Sequence, residues 1–151
     1  MLSRLRKRES RPRVGRVLVA TDRSETAHRA VEWAAEMAAR FEAELVVLQV
    51  SRVLDGDTAE LEADLAEYAG PLGERVRTLV RRADDPAQGI CETARVEDAD
   101  VLVVGSVGMQ GRKEFLLGNV PNRVSHLTRR TLVIVNTAQR VEQGRKRRFG
   151  R

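Results

Sequence analysis

Residues 17–50, VLVATDRSETAHRAVEWAAEMAARFEAELVVLQV, contain two short apolar runs separated by one helical pattern. The runs VLVAT (17–21) and LVVLQV (45–50) are rich in β-branched residues, which is typical of buried strands. Between them, apolar residues recur on one helical face, while charged residues lie on the opposite face. The apolar set is Ala27, Ala30, Val31, Ala34, Met37, Ala38 and Phe41. A strand, an amphipathic helix and a second strand predict a βαβ unit with parallel strands.

The same alternation continues to residue 135. Three further apolar runs predict strands at 76–80 (VRTLV), 100–104 (DVLVV) and 131–135 (TLVIV). Helices are predicted at TAELEADLAEYAGPLG (58–73), which Gly70 and Pro71 end, from Asp85 onward, and at about 120–128. Strands that alternate with helices predict an α/β domain whose parallel sheet carries helices on both faces.

The helix starts carry recognisable caps. At DRSE, either Asp22 or Ser24 can cap the first helix, and Glu25 favours the positive end of its dipole. In DDPAQGI, Asp85 is the predicted N-cap and Pro86 occupies the first helical position, where a missing N–H costs nothing. Asp22 therefore has two candidate roles, helix capping and ligand binding, which do not exclude each other.

Length and charge predict one domain with two basic tails. A chain of 151 residues with 42% hydrophobic content is enough for a single core. The net charge of +5 is uneven, because residues 1–16 carry +6, residues 137–151 carry +5, and the rest therefore carries −6. We predict disordered basic tails at 1–14 and 138–151 around a domain at 15–137. No apolar run is long enough for a membrane span or a signal segment, so the predicted location is the cytoplasm.

Few residues are suited to catalysis. His28 lies on the polar side of the first helix and His126 on the short last helix, so both are interpreted as surface or packing residues. The lone Cys91 follows Ile90 on the apolar side of a helix and is interpreted as a core thiol. Neighbouring Asp84 and Asp85 are explained by capping. No spacing of His, Cys and carboxylates matches a metal site, so we predict a binding protein with, at most, very slow incidental hydrolysis of a bound ligand.

The segment GSVGMQGRKEFLLGN (105–119) is the strongest candidate for a ligand loop. It follows the fourth strand with G-x-x-G-x-x-G, whereas a dinucleotide fingerprint needs G-x-G-x-x-G after the first strand. It also lacks the G-K-[ST] of a P-loop. Two readings stay open: a glycine turn before an ordinary capped helix, or a phosphate loop in which Asn119 caps the helix by accepting from the Asn122 amide while its NH₂ donates to phosphate.

The glycine spacing resembles that of the universal stress protein family. The family motif is G-x-x-G, nine residues, then G-[ST]; here Gly105 and Gly108, the nine residues MQGRKEFLL, and Gly118-Asn119 follow it with Asn in place of Ser or Thr. VLVATDRSE, ADDPAQGI, LLGNVPNRVSH and TLVIVNT also resemble family elements in the family order. The resemblance covers about residues 15–137, which leaves only the tails outside it.

This resemblance implies a fold and a site. The implied fold is an open five-stranded parallel sheet in the order 3-2-1-4-5 with helices on both faces, of the adenine nucleotide alpha-hydrolase-like type. It implies ATP, ADP or AMP as ligand, with Mg²⁺ only as a companion of ATP and no dedicated protein metal site. Asp22 would bind adenosine beside Thr21 and Val50, and the implied phosphate-binding residues are Gly105, Gly108, Gly118, Asn119 and, by charge, Arg112.

Partners are predicted from the sheet edge and the tails. In the order 3-2-1-4-5 the strand 131–135 is an apolar edge, which predicts a homodimer through this strand, as the family commonly forms. The function implied is that of a nucleotide-dependent regulatory or interaction module in the stress response. The alternative is a dimeric scaffold that binds no nucleotide and is recruited by its basic tails to nucleic acid or an anionic surface. A third hypothesis keeps the fold with another ligand, such as cyclic AMP.

Overall fold

The computed structural model describes residues 13–52, 59, 62–63, 70–106 and 119–137. The predicted helix at 58–73 lies mostly outside this part of the chain, as do residues 1–12 and 138–151 of the tails. The elements are β1 (Arg16–Ala20), α1 (Glu25–Phe41), β2 (Glu44–Ser51), a 3-10 helix (Gly70–Arg75), β3 (Val76–Arg82), α2 (Pro86–Val96), β4 (Val101–Gly105), α3 (Val120–Leu127) and β5 (Thr131–Val135).

The five strands form one parallel sheet in the order β3-β2-β1-β4-β5. The predicted α/β fold and strand order are thus confirmed. From β1 the chain first winds toward β3, and it then crosses back to β4 and continues to β5. Because crossovers between parallel strands are right-handed, this reversal places the early and late helices on opposite faces of the sheet.

The core has two layers, one on each face. Successive side chains of β1 enter different layers: Val17 and Val19 pack with α1, whereas Leu18 packs with α2 and α3. All three are fully buried, as is Leu102, the partner of Leu18 in β4. Strands buried on both faces explain the continuous apolar runs in the sequence.

The five predicted strands and the helices predicted after Asp22, Asp85 and Asn119 are confirmed with small differences at their ends, while the described end of the predicted helix at 58–73 belongs to a 3-10 helix. The first strand ends at Ala20, one residue before the predicted boundary, although the amide of Thr21 still donates to Leu48 O at 2.9 Å. The prediction that Phe41 faces the core is wrong, because its side chain is 55% exposed. Phe41 is the last residue of α1, and Glu42 then turns the chain toward β2 in a left-handed conformation (φ 54°).

Side chains at the amino ends of the strands form an ion-pair network. Glu44 accepts from Arg16 Nε and Nη2 at 3.2 and 3.0 Å, and its other oxygen accepts from Arg77. Arg77 also donates to Glu97 Oε2 at 2.6 Å. The hydrogen bond from Arg77, together with those from Arg16, lowers the pKa of Glu44 from its ordinary 4.5, against a burial effect that raises it. This network ties β1, β2 and β3 to the turn after α2.

We therefore expect the contribution of Glu44 to depend on pH. A pKa that is lower in the folded state stabilises the fold fully above the unfolded pKa, and the effect is lost as pH falls through the folded value. Glu44→Gln should lower the free energy of unfolding by about 1 kcal/mol at pH 7, because the pairs are partly exposed. The loss should shrink below about pH 4, as measured by urea unfolding.

The matched control is Glu36→Gln, which removes an exposed pair with Arg40 within α1. It should change the free energy of unfolding by less than about 0.5 kcal/mol at either pH. A Glu44→Gln loss that stays constant or grows toward acid pH would show that the charge network does not stabilise this end of the sheet.

Candidate functional site

A crevice opens at the carboxyl ends of the strands, where the winding of the sheet reverses between β1 and β4. It is open to solvent and has a cavity volume of about 60 Å³. The walls come from three strand ends and from the first turns of α2 and α3. Its described lining is Ala20, Thr21, Asp22, Ala27, Val50, Pro86, Ile90, Val104, Gly105, Val120 and Pro121. This lining is mostly apolar, with Asp22 as its one charged member.

The turn after β1 holds Asp22 at the crevice. Ser24 is the N-cap of α1, since its hydroxyl accepts from the Ala27 amide at 3.2 Å. Asp22 Oδ1 in turn accepts from the amide and hydroxyl of Ser24 at 2.9 and 2.6 Å. Within the described part of the chain, Oδ2 of Asp22 receives no hydrogen bond. The capping role thus belongs to Ser24, and Asp22 keeps one oxygen available as an acceptor.

Gly105 ends β4 in close contact with the chain after β5. A Cβ built on Gly105 would lie 3.0 Å from Cγ2 and 3.1 Å from Oγ1 of Thr137, which is fully buried. Ser106 joins the same contact, because its amide donates to Val135 O and its hydroxyl accepts from the Thr137 amide. A side chain at position 105 would therefore push against Thr137, and glycine keeps this wall compact.

Asn119 caps α3 as the sequence predicts. Its Oδ1 accepts from the Asn122 amide at 3.1 Å, and its carbonyl accepts from the Arg123 amide at 2.9 Å. Pro121 carries no N–H. Among the described residues, the donors left at this helix start are therefore the backbone amides of Asn119 and Val120 and the Nδ2 group of Asn119. All three point to an anion as the complementary ligand.

An ion pair joins the starts of α2 and α3 beside the crevice. Arg123 donates from Nη1 and Nη2 to the two carboxylate oxygens of Asp85 at 2.6 and 2.5 Å. Asp85 is also the N-cap of α2, because its Oδ1 accepts from the Ala87 amide at 3.1 Å. The hydrogen bonds from Arg123 lower the pKa of Asp85, and the backbone N–H groups of Gln88 and Ala87 assist.

The structure brings some of the predicted site residues together. Thr21, Asp22, Val50 and Gly105 line the crevice, and Asn119 directly precedes its lining residue Val120. Gly108, Arg112 and Gly118 lie outside the described residues. The predicted cap of α3 is therefore confirmed, and four of the predicted site residues lie at one crevice.

Sequence reasoning missed the residues that fix the helical walls. These are Arg123, which pairs with Asp85, and Gly89, which packs against the ends of β2 and β3. The one available signal for the pair was opposite charge in the first turns of two adjacent helices. Thr137, which covers Gly105, entered the prediction only as the last residue of the TLVIVNT resemblance, with no contact predicted for it.

The histidines and the cysteine lie apart from the described lining. His28 pairs with Glu32 at 2.8 Å on the outer side of α1, and His126 is exposed on α3. Cys91 is partly buried against the layer of α2 and α3, and burial raises its pKa, with a further effect from Asp85. The described residues contain no group of three His, Cys, Asp or Glu that could hold a metal ion. Within them, no helix is long and apolar enough to cross a bilayer.

Comparisons with known proteins agree with this architecture. The family model for the universal stress protein family matches residues 13–136. Universal stress protein YxiE of Bacillus subtilis is 28% identical over 145 residues, covering 80% of this chain and 97% of its own. A crystal structure of a universal stress protein in complex with cAMP is 28% identical, with a TM-score of 0.70 over 82% of this chain and 98% of that one.

The structure of protein Rv1636 from Mycobacterium tuberculosis is 32% identical, with a TM-score of 0.59 over 84% of this chain and 98% of its own. Both structural likenesses cover more than four-fifths of this chain, and the family model covers residues 13–136. The chain belongs to the universal stress protein family.

Proposed function

We propose that this universal stress protein binds an adenine nucleotide in the crevice between β1 and β4 and acts as a nucleotide-dependent regulatory or interaction module. The proposal rests on one observation, namely which hydrogen-bonding groups lie at the crevice. An acceptor, Asp22, lies at one end, and the donors of Asn119 and Val120 lie at the start of α3. A nucleotide has the complementary chemistry, since its ribose hydroxyls and base amine donate hydrogen bonds and its phosphate accepts them.

The apolar part of the crevice supports the same assignment. Val50, Ile90 and Val104 provide a surface against which a flat base can pack, and burial of its apolar area favours binding. The likeness to a universal stress protein in complex with cAMP supports an adenine ligand, because that protein shares 28% identity over nearly its whole length. ATP, ADP, AMP and cyclic AMP are the candidates, and Mg²⁺ would accompany only ATP.

We further propose that the nucleotide is bound as a signal and is not turned over at an enzymatic rate. Efficient hydrolysis needs a base or nucleophile near the phosphate. His28 and His126 do not belong to the described crevice lining. The cytoplasm stays the predicted location, and contact of the tails with a polyanion stays a prediction about residues outside the described part of the chain.

Nucleotide binding should raise the thermal stability of the full-length protein. A ligand at about one hundred times its Kd stabilises the folded state by about 2.7 kcal/mol, which corresponds to an increase in Tm of roughly 5–10 °C for a chain of this size. ATP, ADP, AMP and cyclic AMP are titrated separately at fixed ionic strength. Protein free of carried-over nucleotide that shows no saturable shift with any of them would contradict the proposal.

The substitution Asp22→Asn tests whether the nucleotide binds in this crevice. The amide can still accept from Ser24, but it replaces the available carboxylate oxygen by a donor, so the nucleoside loses its acceptor. We expect Kd to rise by about 10- to 100-fold in titration calorimetry. The control is Asp84→Asn, the same change at an exposed position outside the described lining. Equal affinities for both variants would place the ligand elsewhere.

We also propose a homodimer through β5. This strand is the last of the sheet, and its pairing edge faces away from β4. Ile134 is 47% exposed, whereas Val133 packs partly against the core of the α1 layer. An apolar edge of this kind is stabilised by pairing with the same strand of a second copy.

Ile134→Lys tests the dimer with little cost to the fold. The added charge should oppose pairing and give a monomer, while the exposed position keeps the core intact. Sedimentation of the wild type at tens of micromolar should give twice the mass of the variant. Val133→Lys is less suitable, because it would also disturb the core. A wild type that sediments as a monomer would contradict the proposal.

A further inference from the structure

The two helical walls of the crevice are anchored differently. A Cβ built on Gly89 of α2 would lie 2.7 Å from the Cβ of Ala83 and 3.0 Å from Cγ1 of Val50. The backbone of α2 thus lies directly against the ends of β2 and β3, which leaves it little freedom to move. The N-terminal end of α2, with Asp85 as its cap, is fixed by this close packing.

The wall formed by α3 has weaker anchors. This helix has eight residues, and its buried side chains are Pro121 and Val124. Its first turn contacts α2 through the two hydrogen bonds of Arg123 to Asp85. Two parallel bonds to one carboxylate fix both distance and orientation, which a single charge contact does not. The first turn of α3 is therefore held relative to α2 by this pair, beside the apolar packing of Val120 and Val124 in the same core layer.

The position of α3 matters because its start has few donors. The backbone amides of Asn122 and Arg123 both donate to Asn119, and Pro121 has no amide N–H. Within the described chain, the donors left there for a phosphate are the backbone amides of Asn119 and Val120 and the Nδ2 group of Asn119. A hydrogen bond weakens steeply when its distance or angle departs from the optimum, so a small displacement of this turn affects all of these donors.

We infer that Arg123 is a positioning residue: its paired contact with Asp85 holds the start of α3 where Asn119 and Val120 can bind the ligand phosphate. This inference rests on the proposed nucleotide function. Arg123 acts through the helix and does not itself contact the phosphate. The nucleoside part of the ligand would lie near Val50 and Asp22, at the ends of β2 and β1, which the ion pair of Arg123 and Asp85 does not contact.

The experiment compares AMP with adenosine in the full-length protein. Arg123→Gln removes the donors, and Asp85→Asn removes the charge while keeping a residue that caps α2 equally well. Each variant should raise the Kd of AMP about fivefold, and the double variant should not exceed either single change, because both remove the same contact. The Kd of adenosine should change less than about twofold.

The matched control is Arg130→Gln, which removes an ion pair with Asp98 at the opposite ends of the same two helices. It should leave both affinities unchanged. Tighter binding of AMP to Asp85→Asn would overturn the inference, since it would mean that the freed Arg123 binds phosphate directly. Unchanged AMP affinity, or equal losses for AMP and adenosine, would overturn it as well.

Amide hydrogen exchange separates this inference from the proposed function. Without ligand, the Arg123 and Val124 amides should exchange at least about fivefold faster in Asp85→Asn and Arg123→Gln than in Arg130→Gln. Unchanged exchange would refute the positioning role even if nucleotides bind. Faster exchange in a protein that binds no AMP would support the positional part and refute only the nucleotide function.

Discussion

The reversal of winding between β1 and β4 is the constraint on which this structure depends. Both strands are parallel and adjacent, yet the chain leaving β1 enters α1 on one face, and the chain after β4 leads to α3 on the other. Among the residues that the structure describes, no helix crosses over the gap between their carboxyl ends. The crevice is thus a consequence of the topology, and the residues at the two strand ends, Asp22 and Gly105, set its chemistry.

The walls of this crevice are held by two kinds of contact. On the side of α2, Gly89 has no side chain, so the helix backbone packs closely against Val50. Such close packing is costly to disturb. On the side of α3, the bidentate ion pair of Asp85 and Arg123 holds the helix start against α2. An ion pair at the protein surface can be exchanged or displaced at low cost, so the second wall is the more adjustable of the two.

Much of this architecture could be predicted from the sequence, because its signals are local. Apolar runs buried on both faces predict parallel strands, Pro86 and Asp85 mark the start of α2, and Asn119 predicts the cap that is observed. Periodicity failed at Phe41, since an apolar residue at a helix end satisfies the pattern whether or not the sheet extends beneath it.

The parts of the site that could not be predicted depend on distant contacts. The Arg123–Asp85 pair joins residues 38 positions apart, and the contact of Gly105 with Thr137 joins two strand ends. Charge and composition do not specify which residues meet across such separations. The family resemblance implied a site at the ends of the first and fourth strands, but the structure was needed to identify what holds α3 in place.

The most direct test of the account is a nuclear magnetic resonance titration of backbone amides with AMP and with adenosine. Both ligands should shift the amides of Thr21, Asp22 and Val50, and only AMP should shift those of Asn119 and Val120. This pattern would place the nucleoside at the end of β1 and the phosphate at the start of α3. Shifts confined to residues outside the crevice, or no difference between the two ligands at α3, would contradict it.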